Sequence, residues 1–171
     1  MFITFEGADG SGKSTQMNLL KNYFDKHNVN YIFTRDPGGT ELGALLRNIL
    51  LNYEGNIFPT CELFLYLADR AQHVDEKIIP ALKEGKIVLC DRYIDSTAAY
   101  QGYARGLDIN QIKLLNDIAT HFLCPDVTFL FDIDTDVAMK RLGGNRDRLE
   151  SETKEFHQKV RQGYLEIAAN N

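Results

Sequence analysis

The chain has 171 residues, enough for one domain spanning 1–171 with a core of its own. A hydrophobic share of 44% and a charged share of 25% are those of an ordinary soluble globular protein, and no apolar run nears the roughly 20 residues of a membrane span. The net charge of −5 argues against general nucleic-acid binding, so cations for any anionic ligand must be gathered locally.

In chain order, strands are expected at 2–6, 30–35, 86–91 and 126–132, and helices at 13–27, 41–52, 59–84, 94–103, 109–122, 135–142 and 150–169. Their alternation predicts an α/β fold with a parallel central sheet and helices on both faces. The run from Ile87 to Cys90 and the run from Val127 to Phe131 are almost wholly apolar, which predicts strands buried on both faces. With the first strand expected from residue 2, no signal peptide is expected. Cys61, Cys90 and Cys124 form no CxxC pair and read as buried free thiols of a cytoplasmic protein. Phe64, at helical spacing in the long helix, reads as core.

The first strand feeds Gly7-Ala8-Asp9-Gly10-Ser11-Gly12-Lys13-Ser14, which fits the phosphate-loop pattern at every fixed position and opens a helix through Thr15. Its glycines let successive N–H groups turn inward, and the helix N-terminus adds partial positive charge. Lys13 would reach the β- and γ-phosphates of a nucleoside triphosphate, and Ser14 would ligate Mg²⁺. Asp91-Arg92-Tyr93 follows the third strand, where ligands of such sheets collect; Asp91 can hold Mg²⁺ and Arg92 can bridge phosphates. Arg35 ends the second strand, ahead of a Pro37-Gly38-Gly39 turn. Tyr66 and Arg70 share a helical face, and Ser96, Thr97, Tyr100 and Gln101 lie on a short polar helix; each set reads as a nucleoside contact or as ordinary packing. The stretch 141–149, rich in Gly, Asn and Arg, reads as a solvated loop or as an arginine-bearing lid.

Taken together, Phe5–Thr15, Arg35–Thr40, Ala68–His73, Asp91–Tyr93, Ser96–Gly102 and Asp147–Glu150 resemble the bacterial thymidylate kinases, a family of P-loop nucleoside monophosphate kinases, from Met1 to the end of the chain. The resemblance implies the three-layer P-loop NTPase fold, transfer of phosphate from Mg-ATP to dTMP in dTTP biosynthesis, and a homodimer formed through helices that include 59–84. It implies that Asp9 lies near the deoxyribose 3′-hydroxyl, and that Arg35 and Arg92 hold the dTMP phosphate. Tyr66, where the family usually has phenylalanine, would stack on thymine and Arg70 would donate to its carbonyl. Ser96, Thr97 and Gln101 would read the base side, and Tyr100 would exclude ribose. The phosphate loop holds no arginine, so the family pattern assigns catalysis to Lys13, Arg92 and lid arginines, with Arg146 and Arg148 foremost and Arg141 third. The family continues past residue 171 with a further strand and helix. Other nucleotide kinases, or a P-loop switch, stay open as alternatives on the residues alone.

Overall fold

The computed structural model describes residues 1–144 and 146–170; Asn145, within the expected lid, and Asn171 lie outside the described residues. Four parallel strands form the sheet: β1 (Phe2–Glu6), β2 (Tyr31–Arg35), β3 (Ile87–Asp91) and β4 (Val127–Leu130), in the order β2-β3-β1-β4. Phe5 and Arg35 both align with Asp91, so the ends of β1, β2 and β3 finish level along one edge.

Alternation along the strands builds the two cores. Phe2, Val88 and Cys90 face one side, against Val74, Ile78 and Ala81. Ile3, Phe5 and Leu89 face the other, against Met17. Helices therefore cover both faces, as expected. Met17 belongs to α1 (Lys13–Lys26). The remaining helices are α2 (Glu41–Asn52), α3 (Pro59–His73), α4 (Ile79–Lys83), α5 (Ile94–Thr97), α6 (Ile109–Thr120), α7 (Thr135–Leu142) and α8 (Lys154–Ala169). Side-chain caps set several starts: Thr40 Oγ1 accepts from the Gly43 N–H, Asp108 from Asn110 and Gln111, and Thr153 from Phe156.

Some expectations need correction. The helix read at 59–84 is interrupted by a π-helical stretch, Val74–Ile78. Pro80 explains it: proline has no N–H and its ring clashes with the carbonyl four residues earlier, so the backbone widens ahead of it. The helix read at 94–103 becomes π-helical over Ala98–Ala104, and residues 148–150 form a turn before α8 begins. β4 is not buried on both faces; it is an edge strand paired with β1, leaving Val127 41% and Phe129 48% exposed. Phe64 is 54% exposed and stands outside the cluster in which Leu63 and Leu67 of α3 pack with Ile112 of α6. Cys90 is buried, but Cys61 and Cys124 are exposed. Among the described residues no helix is long and apolar enough to cross a membrane.

Candidate active site

The loop from Gly7 to Gly12 connects β1 to α1 at the carboxyl edge of the sheet. Gly7 has φ +135 and a Cβ there would strike the Phe131 carbonyl; Gly12 caps α1 with φ +95. Only glycine suits both places. The first turn of α1 holds no acidic side chain, so its N-terminal N–H groups and dipole are uncompensated. Lys13 is buried, and its Nζ donates to the Gly7 carbonyl at 2.8 Å and the Ala8 carbonyl at 3.1 Å. Burial and the Arg92 cation pull its pKa down to about 8, against the pull of Asp9 and Asp91. Ser11 Oγ is buried without a hydrogen-bond partner among the described residues. Ser14 and Thr15 are exposed on the first turn of α1.

Arg92 follows β3 with φ +70, a left-handed backbone rare for a side chain of its size, and its N–H is held by the Phe5 carbonyl at 3.0 Å. One arm of the guanidinium donates to Asp9 at 2.7 Å; the other donates to Tyr164 at 2.8 Å and to Ser96 at 3.2 Å. Burial opposes ionisation of Asp9, but Arg92 and Lys13 outweigh it and hold the carboxyl at about 2. Behind Ser96 and Tyr164 sits Glu6, fully buried, accepting from Ser96 Oγ at 2.6 Å, Tyr164 Oη at 3.2 Å and the Tyr93 N–H at 2.7 Å. Asp91 Oδ1, at the end of β3, is buried and has no hydrogen-bond partner among the described residues.

Beside Arg92 a cleft opens between α2, α3 and the stretch from α5 to Ala104. Asp9, Arg92 and Ser96 line its phosphate-loop end, and Tyr66, Thr97, Tyr100 and Gln101 line the rest. Arg70 also reaches it, but all five guanidinium N–H groups are engaged: two on Asp36, the others on Thr97, Asn116 and the Tyr93 carbonyl. A base carbonyl could gain a bond from Arg70 only by sharing or displacing one of these.

Arg35, expected at this site, is exposed and does not line the cleft. A third arginine that lines it, besides Arg92 and Arg70, is Arg47 of α2, anchored on the Pro37 carbonyl at 3.0 Å. The lid arginines separate. Arg146 folds back on the carbonyls of Met139 and Gly143. Arg148 bonds the Leu50 carbonyl at 2.8 Å and pairs with buried Glu62 at 2.6 Å. Arg141 donates to the Gly10 carbonyl at 3.2 Å, so it alone of the three contacts the phosphate loop.

Sequence reasoning missed Arg47, Glu6 and Glu62 as parts of this arrangement. The signal available for each was one charge among apolar neighbours: Arg47 in Leu45-Leu46-Arg47-Asn48-Ile49, Glu6 at the end of a buried strand, Glu62 beside Leu63.

A glycine loop with a lysine below it, facing a second cleft with its own arginine at the same sheet edge, is the layout of a P-loop kinase, with a donor and an acceptor site. The family model described as Thymidylate kinase matches residues 5–171, and the chain belongs to the thymidylate kinase family. The thymidylate kinase of Kosmotoga olearia is 50% identical over 170 residues, covering 98% of this chain and 82% of its own length. That of Carboxydothermus hydrogenoformans is 52% identical over 169 residues, covering 98% and 83%. Among solved structures, the thymidylate kinase of Ehrlichia chaffeensis aligns with a TM-score of 0.82 at 42% identity, over 100% of this chain and 83% of that one.

Proposed function

We propose the following division of labour for the reaction ATP + dTMP → ADP + dTDP, the kinase reaction of this family. The phosphate loop and Lys13 hold the β- and γ-phosphates of ATP. The bonds Lys13 now makes to the Gly7 and Ala8 carbonyls mark where its ammonium waits, and phosphate oxygens replace them as acceptors. Arg92 holds the dTMP phosphate, and Asp9 lies beside it near the sugar. Tyr66 stacks on the base, with Thr97, Tyr100 and Gln101 around its edge and sugar, while Arg70 and Arg47 close the cleft wall.

The nucleophile is an oxygen of the dTMP phosphate. Its second pKa is about 6, so it is mostly dianionic at neutral pH and no general base is needed. The chain's task is to bring two anions into line and neutralise charge spreading over the transferred phosphoryl. Ser14 and Asp91 suit Mg²⁺: both offer hard oxygen, and Asp91 Oδ1 is buried without a hydrogen-bond partner among the described residues. When bound, Mg²⁺ supplies charge neutralisation between the phosphates. Arg141, the lid arginine in contact with the phosphate loop, is the one we assign to the transferred phosphoryl. Arg141→Ala is expected to lower kcat by at least about 100-fold with little change in KM for dTMP; an unchanged kcat would remove this assignment.

The observation that carries the acceptor assignment is Arg92, fixed by its backbone and by Asp9, Ser96 and Tyr164 at the shared border of loop and cleft. The test is ADP formation from Mg-ATP with dTMP, dUMP, dCMP, dAMP and thymidine. Turnover far higher with dTMP supports the whole reading; preference for another acceptor would overturn the base-site roles while leaving the phosphate chemistry.

We further propose a homodimer through α3 and α6. Phe64 of α3, Leu114 and Ile118 of α6, and Phe122 just beyond it are large and exposed, an unusual apolar density for a free surface. Light scattering of the purified protein tests it. The exposed free thiols of Cys61 and Cys124 favour a reducing compartment, the cytoplasm.

A further inference from the structure

We propose that Glu62 is the positioning residue that decides which base the acceptor cleft takes. By holding the Gln101 amide one way round, it presents a carbonyl to the cleft and so selects a ring N–H, as in thymine or uracil, over the bare ring nitrogen of cytosine. The proposal rests on the reading of this cleft as the base site.

A glutamine side chain ends in two groups of nearly equal size and opposite hydrogen-bonding sense. Left alone, it can turn either end to a ligand. Gln101 is 1% exposed, lies in the π-helical stretch Ala98–Ala104 and lines the cleft. Its Nε2 donates to Glu62 Oε1 at 2.8 Å. A carboxylate only accepts, so the NH₂ end must face Glu62 and Oε1 must face elsewhere. Oε1 is then the end of the amide left for the cleft that Gln101 lines.

Glu62 is itself unable to turn away. It is fully buried on α3; Arg105 contacts both of its oxygens, at 3.2 Å each, and Arg148 lies 2.6 Å from Oε2. Burial opposes its ionisation, but Arg105 and Gln101 prevail and keep it below the usual carboxylate range, so it stays an acceptor at neutral pH. Tyr66 follows Glu62 by four residues on the same helix, so one helical face supplies both the ring that stacks and the carboxylate that orients the reader.

Thymine and uracil offer N3–H between two carbonyls. Cytosine offers a lone pair at N3 and an amino group beside it. To serve cytosine, Gln101 would have to turn over, which sets Oε1 against the Glu62 carboxylate, two acceptors with no proton between them. Sites that leave such groups unpaired discriminate strongly.

The test compares kcat/KM for dTMP and dCMP in the wild type, Gln101→Leu and Glu62→Gln. The amide introduced by Glu62→Gln can offer either end to Gln101, so this variant is expected to lower the dTMP/dCMP ratio by at least about 10-fold, with the dCMP value rising. Damage to the fold would lower both substrates together and would not raise dCMP. Gln101→Leu is expected to lower the ratio as well. If Gln101→Leu lowers it and Glu62→Gln leaves it within about threefold, the orienting role of Glu62 is wrong and the base site stands. If Gln101→Leu leaves the ratio unchanged, the base-site role of Gln101 falls, and the proposal with it. Should Glu62→Gln fail to fold, the wild-type side-chain amide of Gln101, assigned by its loss in Gln101→Leu, decides by NMR. One ε proton displaced downfield and slow to exchange supports the proposal; neither displaced overturns it.

Discussion

Glu6 closes β1 with its carboxyl fully buried, and it is accordingly the place where a neutral substitution is expected to stabilise the fold. Burial and neighbouring Asp95 push its pKa up to about 7 from 4.5, although Ser96, Arg92 and the Tyr93 N–H favour its charged form. Below pH 4.5 the carboxyl is protonated in folded and unfolded chains alike and costs nothing. Between 4.5 and about 7 the folded chain binds more protons than the unfolded one, so stability falls as pH rises. Above about 7 the group is ionised in both states and the whole penalty is present, about 3 kcal/mol. Glu6→Gln keeps the shape and an acceptor for Tyr93 without the charge. It should match the wild type near pH 4.5 and exceed it at pH 8 by up to about 3 kcal/mol, or roughly 6–12 °C in Tm for a chain of this size. The assay is thermal unfolding by circular dichroism from pH 4.5 to 8.5. A variant less stable than the wild type at pH 8, or a difference that does not change with pH, would refute the argument. A loss of function should accompany the gain, because Ser96 and Tyr164 would no longer both orient toward an anion, and Arg92 would be held less tightly.

Other outcomes follow from the same contacts. Arg148→Met removes the bond to the Leu50 carbonyl and one cation from Glu62, and should cost about 1–3 kcal/mol of stability, read as a lowered Tm. A normal Tm with collapsed kcat would instead restore Arg148 to catalysis. Tyr66→Phe keeps the ring and removes a hydroxyl that bonds no described residue; KM for dTMP should stay within about threefold, whereas Tyr66→Ala should raise it by at least about 10-fold. A large effect of Tyr66→Phe would show that the hydroxyl touches the substrate.

What could be read in the chain was what local rules govern. The phosphate loop depends on glycine conformations and on the strand–loop–helix sequence around it, and those sit within 15 residues. Strand positions were legible because each apolar run is bounded by turn chemistry; the burial of β4 was not, because edge or centre is a property of the sheet order. Phe64 failed for a related reason: helical spacing shows that a ring shares a face with others, not what covers that face. The roles of Glu6 and Glu62 come from partners far along the chain, such as Tyr164 for Glu6 and Arg148 for Glu62, and no local pattern contains such pairs. The lid arginines share a short segment, and only the folded contacts separate Arg141 from Arg146 and Arg148.

These pairings also resolve how an acidic chain can bind two phosphorylated nucleotides. The cations in and around the site are already fixed by an anion or carbonyl: Arg92 by Asp9, Arg70 by Asp36, Arg47 by the Pro37 carbonyl, Arg148 by Glu62, Lys13 by loop carbonyls. Pairing of this kind settles the direction of each donor before substrate arrives, so little reorganisation is left for the moment of transfer. The pairs differ in what they leave free. Arg70 is saturated and serves as a wall. Arg92 commits one arm to hydroxyls and the other to a partly exposed Asp9, a bond that an incoming phosphate dianion can compete for. Lys13 is held by neutral carbonyls, the weakest partners of the set, and is the cation most readily drawn to a phosphate. The negative net charge is therefore no obstacle: carboxylates and carbonyls orient the cations, and the difference in how tightly each is held sets which of them turns to the substrate.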